Sequence, residues 1–195
     1  LGYQYQLKKG FISAEIYHRQ TNNRIENIRS VYSDNVMLQT VANIGKDYAT
    51  GVEFMANYNI TKWWIANLMG NLYNYRIKGQ LYGRDVDQSS LNWHARLSNT
   101  FIVTKTTKIQ FDGMYNSATT SAQGSRDGFA FASIAIRQDL FKNKLNITLS
   151  ARDIFNTAKF GFESKGPNFY SKSKSDMKSP VISLTLSYKI NNYRQ

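Results

Sequence analysis

Side chains that commonly carry chemistry are scarce in this 195-residue chain, which contains two His and no Cys. His18 and His94 lie far apart, and neither has a carboxylate at the spacing of a metal-binding motif. The Ser-rich segment 117–125 offers hydroxyl groups without an obvious His partner. Nucleophile-elbow, phosphate-loop and metalloprotease motifs are missing from the sequence. We therefore expect a protein that is not an enzyme and that carries no metal and no cofactor.

Polar side chains at alternate positions form a second group of candidates, for binding rather than for catalysis. Five of them are Glu53, Asn57, Arg96, Asp112 and Arg152. They are suited to contact a permeating solute or a domain held inside a pore. The alternative interpretation is that they are wall groups whose hydrogen bonds are satisfied locally. Either role depends on the elements that carry them, because those elements decide which side chains share a face.

The elements around these residues have the period of β-strands. Val52, Phe54 and Tyr58 share one face, whereas Glu53 and Asn57 share the other, because successive side chains of a strand alternate. The same alternation of apolar and polar residues recurs at 1–8, 91–98, 109–116, 145–152 and 182–190. No segment shows a convincing helical period. The fold class is therefore predicted to be all-β and antiparallel.

Strand lengths and connections make this prediction more specific. About nine strands are predicted, at residues 1–8, 11–22, 36–60, 63–78, 89–104, 108–117, 128–140, 144–154 and 180–190. Most reach about ten residues, the length of a transmembrane strand, whereas strands of soluble domains centre on about five or six. Short connections (around 8–10, 61–62, 105–107 and 141–144) alternate with long ones (roughly 22–36, 78–89, 117–128 and 156–179). This alternation is typical of outer-membrane barrels.

In such a barrel the apolar face contacts lipid and the polar face lines the lumen. The predicted lipid-facing residues are Val52, Phe54, Leu149, Leu184 and Leu186. Aromatic residues near the short turns are predicted to form an interfacial girdle, and they are Tyr58, Trp63, Trp64, Phe101, Phe141 and Tyr188. The alternative explanation for these aromatics is their general preference for strands. The polar face suits a watery or plugged lumen, because a small dry interior would require a partner for every polar group.

The charge balance raises the question of nucleic acid, since 25 Lys and Arg against 13 Asp and Glu give a net charge of +12. Nucleic-acid binding needs that charge on one face, with exposed aromatic platforms beside it. Here the basic residues are scattered, many of them at predicted turns, so we expect no nucleic-acid partner. The one cluster is Lys172, Lys174 and Lys178. We interpret it as a solvated loop or as a site for lipopolysaccharide phosphates.

Several other classes are excluded by composition. Without Cys no disulfide scaffold is possible. A mean hydropathy of −0.48 and the lack of a long apolar run exclude a membrane-spanning helix, and the 14% of aromatic residues argue against disorder. The odd number of strands and the start within a strand predict that an N-terminal part of a larger barrel is missing. A free-standing barrel of eight or ten strands is the alternative.

Three segments resemble one family. Residues 43–54 resemble the strand with an N…G-V-E pattern in TonB-dependent outer-membrane receptors. Residues 151–157 are similar to the D-x-F-N element of their penultimate strand, and residues 180–190 resemble their last strand. The order and spacing of these segments make residues 1–195 resemble the C-terminal barrel portion of the Bacteroidetes-type receptors. Barrels of this family usually finish on a terminal aromatic residue that the insertion machinery reads, whereas this chain continues past Ile190. Tyr188 and Ile190 would then act as the insertion signal, and 191–195 would form a short periplasmic tail.

The resemblance implies a barrel of about 22 strands with an N-terminal plug domain. It implies active import of a nutrient such as a siderophore, a glycan or a peptide, energised through TonB, in a bacterial outer membrane, with the C-terminus in the periplasm. The implied partners are outer-membrane lipid, the plug, TonB and a surface lipoprotein or other envelope subunit. Two alternatives stay open: a small complete barrel with an adhesive or structural role, and an outer-membrane enzyme.

Overall fold

The computed structural model describes residues 1–190, and within that range the chain forms strands joined by turns. In chain order they are β1 (Gly2–Leu7), β2 (Gly10–Ser33), β3 (Val36–Asn59), β4 (Trp64–Leu81), β5 (Arg84–Ile102), β6 (Thr107–Asn116), β7 (Thr119–Ser121), β8 (Gly124–Arg126), β9 (Phe129–Leu140), β10 (Leu145–Arg152), β11 (Lys159–Gly166), β12 (Phe169–Asp176) and β13 (Val181–Tyr188). No helix in the described range is long and apolar enough to cross a membrane. The predicted tail, 191–195, lies outside the described residues.

Nine of the strands form one antiparallel meander in the order β1-β2-β3-β4-β5-β6-β9-β10-β13. These nine correspond to the predicted strands, so the all-β antiparallel architecture is confirmed. The predicted number of strands is wrong, because the described residues contain 13. Across this range the sheet is open, with β1 at one edge and β13 at the other. All four short turns lie at one end of the strands, which we call the short-turn edge. The opposite end of the strands is called the hairpin edge.

Two of the predicted long loops, 22–36 and 78–89, are instead strand. β2 and β3 pair almost continuously to a turn at 34–35, and β4 and β5 pair to a turn at 82–83. In that second turn Tyr82 and Gly83 have φ angles of 54° and 72°. Left-handed backbone at both central positions matches the right-handed twist of the flanking strands, which is the geometry that tight hairpins favour. The strands therefore continue well beyond the predicted boundaries.

The other two predicted long loops, 117–128 and 156–179, also contain strands. They form a second antiparallel sheet in the order β12-β11-β8-β7. β8 pairs with β11, so the two connections are joined to each other at the hairpin edge. Lys172 and Lys174 are exposed on β12, which corrects their assignment to a loop, whereas Lys178 lies in the connection that follows this strand, as predicted. Strands as short as β7 and β8 leave little periodic pattern in a sequence, which explains why they were not predicted.

The register of the nine-stranded sheet separates an apolar face from a polar face. Val52 lies opposite Leu72, Leu149 lies opposite Leu184, and Ile147 lies opposite Leu186. The five residues predicted to face lipid thus share one face. Phe54 lies opposite Gly70 on this face, where a Cβ atom on the glycine would lie 2.4 Å from Cζ of the phenylalanine ring. Side chains from neighbouring strands therefore pack closely along the apolar face.

Toward the hairpin edge the polarity of the two faces exchanges. The side that carries Glu53 now carries Ile77, which is fully buried. Ile77 packs with three other buried apolar residues, Ile28, Ile44 and Leu81, in the only such cluster of the described chain. A register shift between Asn22 and Arg24 accompanies this change. Such bulges re-aim side chains, and here the shift turns Ile28 toward the cluster.

A polar group lies beside this apolar cluster. Asp47 is buried, accepts a 3.3 Å hydrogen bond from the Tyr75 hydroxyl to its Oδ2 atom, and lies 3.4 Å from Nε of Arg24. Arg24 also lies 3.6 Å from Oε1 of Glu26. Burial, followed by the charge of Asp47, raises the pKa of Tyr75 to about 12. The phenol therefore stays protonated and donates to Asp47 at all physiological pH values.

Candidate functional site

All five candidate binding residues lie on the polar face, in three neighbouring rows of the sheet. Asn57, Asp112 and Arg152 belong to one row, because the register runs Asn57–Asn67–Ser98–Asp112–Ser133–Arg152. Arg96 lies in the next row, opposite Met69 and Met114. Glu53 lies one row further toward the hairpin edge. The structure thus places the five on a common surface without bringing them into one contact cluster.

Glu53 is one end of a chain of hydrogen bonds that joins side chains from three strands and has Asn71 in its middle. Asn71 Nδ2 donates to Glu53 Oε1 over 2.7 Å, and the Tyr17 hydroxyl donates to Asn71 Oδ1 over 3.0 Å. His94 continues the same row on β5, and Glu15 lies directly opposite Glu53 on β2. Two carboxylates at such a position repel each other. This row is therefore suited to a ligand that brings hydrogen-bond donors or positive charge.

A groove of about 340 Å³ lies over these hydrogen-bonded side chains. Its walls come from β2, β3, β4 and β5, and we call it the Glu53 groove, lined by Glu15, Tyr17, Arg19, Glu53, Asn71, Tyr73 and His94. It combines two phenol rings with two carboxylates, an amide, an imidazole and a guanidinium. The side chains of this groove offer several hydrogen-bond donors and acceptors to a polar solute.

The two histidines are on opposite faces of the sheet. His18 follows the apolar residues of β2 and lies 2.7 Å from the Thr50 hydroxyl through Nδ1, whereas His94 lies on the polar face opposite Asn71. A site that uses both is geometrically impossible. Within residues 1–190 no group of three or more His, Asp or Glu side chains is arranged to hold a metal ion.

The turn of the β7–β8 hairpin is fastened to β2. Gln123 is buried; its Oε1 accepts from the Arg29 backbone N–H over 2.8 Å, and its Nε2 donates to the Arg29 carbonyl over 2.6 Å. The Ala122 backbone N–H donates to Oε2 of Glu26 over 3.0 Å, and the Arg29 guanidinium lies 5.5 Å from the Phe162 ring centroid. The second sheet is thereby held over the polar side at the hairpin edge.

Aromatic side chains gather at the opposite, short-turn edge. The rings of Trp63, Trp64 and Phe101 pack together with centroids 5.8–6.3 Å apart. The Trp64 indole donates to Asn99 Oδ1 over 2.9 Å. Tyr58 and Tyr188 lie near the same edge on the apolar face, and Phe141 is exposed in the turn after β9. An apolar face bounded by aromatic residues and backed by a polar face is the pattern of transmembrane barrel strands.

Residues 1–188 match the family model described as the outer membrane protein beta-barrel family. The chain belongs to this family. The match covers all nine strands of the meander and the second sheet, and it assigns the protein to the bacterial outer membrane. Neither the curated proteins nor the solved structures that were searched contain a match to the chain.

In this outer-membrane barrel protein Asp153 fastens the connection that leaves β10. Its Oδ1 accepts from the Thr157 backbone N–H (2.9 Å) and hydroxyl (3.3 Å). Its Oδ2 accepts from the Ala158 N–H (3.2 Å) and the Ser179 hydroxyl (2.6 Å). These bonds, the one from Ser179 first, hold the pKa of Asp153 below its usual range. Asp153 is therefore a structural acceptor that holds the connection between β10 and β11 and the segment before β13.

Several residues of the Glu53 groove are missing from the sequence prediction. Glu15 and Tyr17 lie on β2 and Asn71 and Tyr73 on β4, on either side of β3, and only the register shows that they meet around Glu53. The alternation of the sequence could have shown only that each of them lies on the polar face of its strand. Among the three lysines considered as a phosphate site, Lys172 is ion-paired with Glu163, which leaves it less available to an external phosphate.

Proposed function

We propose that this chain is the C-terminal wall segment of a larger TonB-dependent receptor barrel that imports a scarce nutrient across the outer membrane. The observation that carries the proposal is the pair of free edges, β1 and β13, on a sheet whose outer face is apolar. In lipid each unpaired backbone group costs several kcal/mol, so membrane sheets close on themselves. Further strands between β13 and β1 would complete the barrel, and a plug would fill its lumen.

The polar face supports a solute pathway in this proposal. The Glu53 groove lies on the face that lines the lumen in this proposal, in the half of β3 nearer the short-turn edge, where a solute in the lumen or the surface of a plug would contact it. The hairpins and second sheet then lie outside the cell, and the short turns face the periplasm. β13 runs from the hairpin edge to the short-turn edge, because Tyr188 pairs with Leu145. The C-terminal end of β13 accordingly lies on the periplasmic side in this proposal.

The proposal assigns transport partners rather than a catalytic step. TonB and the plug would act through the part of the barrel that precedes these strands, and a surface lipoprotein would contact the hairpin edge. The nutrient is a hydrogen-bonding molecule such as a siderophore, a glycan or a peptide, in keeping with the mixed donors and acceptors of the Glu53 groove.

The first test is the intact mass of the native protein extracted from outer membranes in detergent. A mass several times the 22.4 kDa of this chain is expected, since the proposal requires a plug and further strands. A mass near 22.4 kDa would contradict the receptor proposal. It would favour a small self-closed barrel with an adhesive or structural role, or an outer-membrane enzyme.

The second test is uptake by cells that carry or lack the gene, measured with labelled ferric siderophores, oligosaccharides and peptides. The expected result is loss of uptake of one class in the deletion strain, and the same loss after addition of a protonophore. Asn71→Ala should lower that uptake because it breaks the chain from Tyr17 to Glu53. Asn74→Ala, on the exposed opposite face of β4, is the matched control. Uptake that ignores both the deletion and the protonophore would contradict active import.

A further inference from the structure

A second cavity, distinct from the Glu53 groove, lies at the hairpin edge of β9, β10 and β13. It measures about 450 Å³, and most of its wall is apolar. Phe131, Phe160, Met177 and Val181 supply that wall. The ring of Phe160 is held in place by Phe129, with centroids 4.6 Å apart. Small-molecule pockets of proteins span about 300–1,000 Å³, so the cavity holds a ligand of one or two rings or a medium alkyl chain.

Two cations stand at this apolar cavity, Arg152 and Lys178. Neither takes part in an ion pair with any residue of the described range. The nearby carboxylate, Asp153, already accepts four hydrogen bonds from Thr157, Ala158 and Ser179. Its oxygens are therefore engaged with the protein's own donors, and the two cations around the cavity outnumber this one anion.

We propose that this cavity binds a small hydrophobic carboxylate. The carboxylate would be held by Arg152 and Lys178, and the apolar body would lie among Phe131, Phe160 and Met177. The guanidinium fork matches the geometry of a carboxylate and makes charge-assisted hydrogen bonds to it. An inorganic anion would leave the apolar wall wet, whereas a neutral apolar molecule would leave both cations without a counter-charge. The inference concerns binding alone, and it holds or fails independently of import.

The experiment uses para-benzoylbenzoate, an aromatic carboxylate that cross-links to nearby C–H bonds under near-ultraviolet light and reacts readily with methionine. The native full-length protein in lipid nanodiscs is titrated with the probe, irradiated and digested, and the labelled peptide is identified by mass spectrometry. We expect saturable labelling at Met177, suppressed by an excess of naphthoate. The neutral analogue para-methylbenzophenone is expected to label Met177 at least tenfold less efficiently at equal concentration.

Two substitutions test the role of charge at the cavity. Lys178 lies in the connection after β12, and Arg152 lies at the end of β10. The double variant Arg152→Gln and Lys178→Gln is expected to raise the half-saturating probe concentration at least tenfold. Lys174→Gln removes the same charge from β12 without touching the cavity, so it should label like the unchanged protein. If Arg152→Gln prevents folding, Lys178→Gln alone should still raise the half-saturation severalfold.

Three results would overturn the proposal. The first is equal labelling of Met177 by the acid and the neutral analogue. The second is unchanged half-saturation in the Lys178→Gln variant. The third is labelling that does not saturate and that spreads over the lipid-facing residues, which would show partition into the bilayer. None of these results affects the mass or uptake tests of the receptor proposal, so the two hypotheses fail separately.

Discussion

Strands β2 to β5 of the nine-stranded sheet have two parts, which on β4 are the membrane band, 64–72, and the hairpin extension, 73–81. The two parts belong to the same strands, yet the polarity of their two faces is opposite. On β4, Leu68 and Leu72 lie on the exposed outer face of the band, whereas Ile77 and Leu81 are buried on the inner face of the extension. Conversely, the inner face carries Asn71 in the band, and the outer face carries Arg76 in the extension. The backbone is continuous through the change, so the surrounding solvent selects the side chains.

The change of polarity along β4 also marks the boundary of the membrane. The apolar outer positions of β4 run from Trp64 to Leu72, which is nine residues and matches the about nine to eleven that a tilted strand needs to cross a bilayer. Beyond them Arg76 forms a two-pronged ion pair with Asp87, with N–O distances of 2.7 and 2.6 Å. The hydrogen bond from Arg76 holds the pKa of Asp87 below its usual range, and both side chains are about half exposed.

The largest effect is expected in the core of the extension. Ile77→Ala should lower the free energy of opening of the hairpins by about 2–5 kcal/mol, because it removes a fully buried side chain and leaves a cavity. Hydrogen exchange of the β2–β3 and β4–β5 hairpins measures this opening. Asn74→Ala, exposed on the outer face of the same strand, should change it by much less. Equal effects of the two substitutions would refute the inverted polarity of the extension.

In the membrane band the sensitive face is the opposite one. Leu149→Arg or Leu184→Arg should lower the free energy of unfolding by about 2–4 kcal/mol, because each places a charge in lipid near the midplane. The matched controls are Ser150→Arg and Thr185→Arg, one residue away and on the polar face, where the charge meets water. The measurement is a refolding titration in lipid vesicles with urea. Similar losses of unfolding free energy for substitutions on the two faces would contradict the assigned lipid face.

Sequence reasoning found the strands of the band because their alternation follows a single rule throughout. It ended β2 at 22 and β4 at 78 and began β5 at 89, since that rule reverses at the hairpin edge and exposed polar residues such as Gln80, Arg84 and Asp85 resemble a loop. The shift between Asn22 and Arg24 adds to the error, because it breaks the period of two where β2 continues. Polar strands above a membrane thus lack the pattern used to recognise strands within it.

The sequence predicted which face of the sheet carries the candidate site residues, but not which residues contact one another there. Parity places Glu53 on the polar side, but only the register shows that Asn71 and Glu15 are its neighbours. Gln123 shows the same limit more strongly, since its bonds to Arg29 cross 94 positions of the chain. Contacts of that kind depend on loop closure and sheet order, which alternation in the sequence does not encode.

Gln123 offers a way to sharpen the comparison within the extension itself. Gln123→Ala should destabilise the attachment of the β7–β8 hairpin by about 1–3 kcal/mol, because the backbone N–H of Arg29 loses its partner in a buried setting. Hydrogen exchange at residues 119–126 should rise, while that of the band strands should not. Ser125→Ala, on the same hairpin, is the control. Protection that persists in Gln123→Ala would show that β8–β11 pairing alone holds the second sheet.

The smallest effect is expected at the other boundary of the band, where the two tryptophans differ in one hydrogen bond. Trp64→Phe keeps an aromatic ring beside Phe101 but removes the donor to Asn99, so it should lower the free energy of unfolding by about 1 kcal/mol. Trp63→Phe is the matched control, because Trp63 is more exposed and its indole nitrogen makes no hydrogen bond within the described residues. The same urea titration in lipid vesicles compares them.

Asn99 explains why these two otherwise similar substitutions should differ. It lies on the face that otherwise contacts lipid, it is 8% exposed, and the Trp64 indole is the donor to its Oδ1. If the short-turn boundary lies in water, a solvent molecule replaces the lost donor and the two variants behave alike. If it lies at the edge of the hydrocarbon, the amide oxygen is left unpaired and Trp64→Phe is the weaker variant. The difference between the variants thus measures how far the apolar band reaches toward the turns.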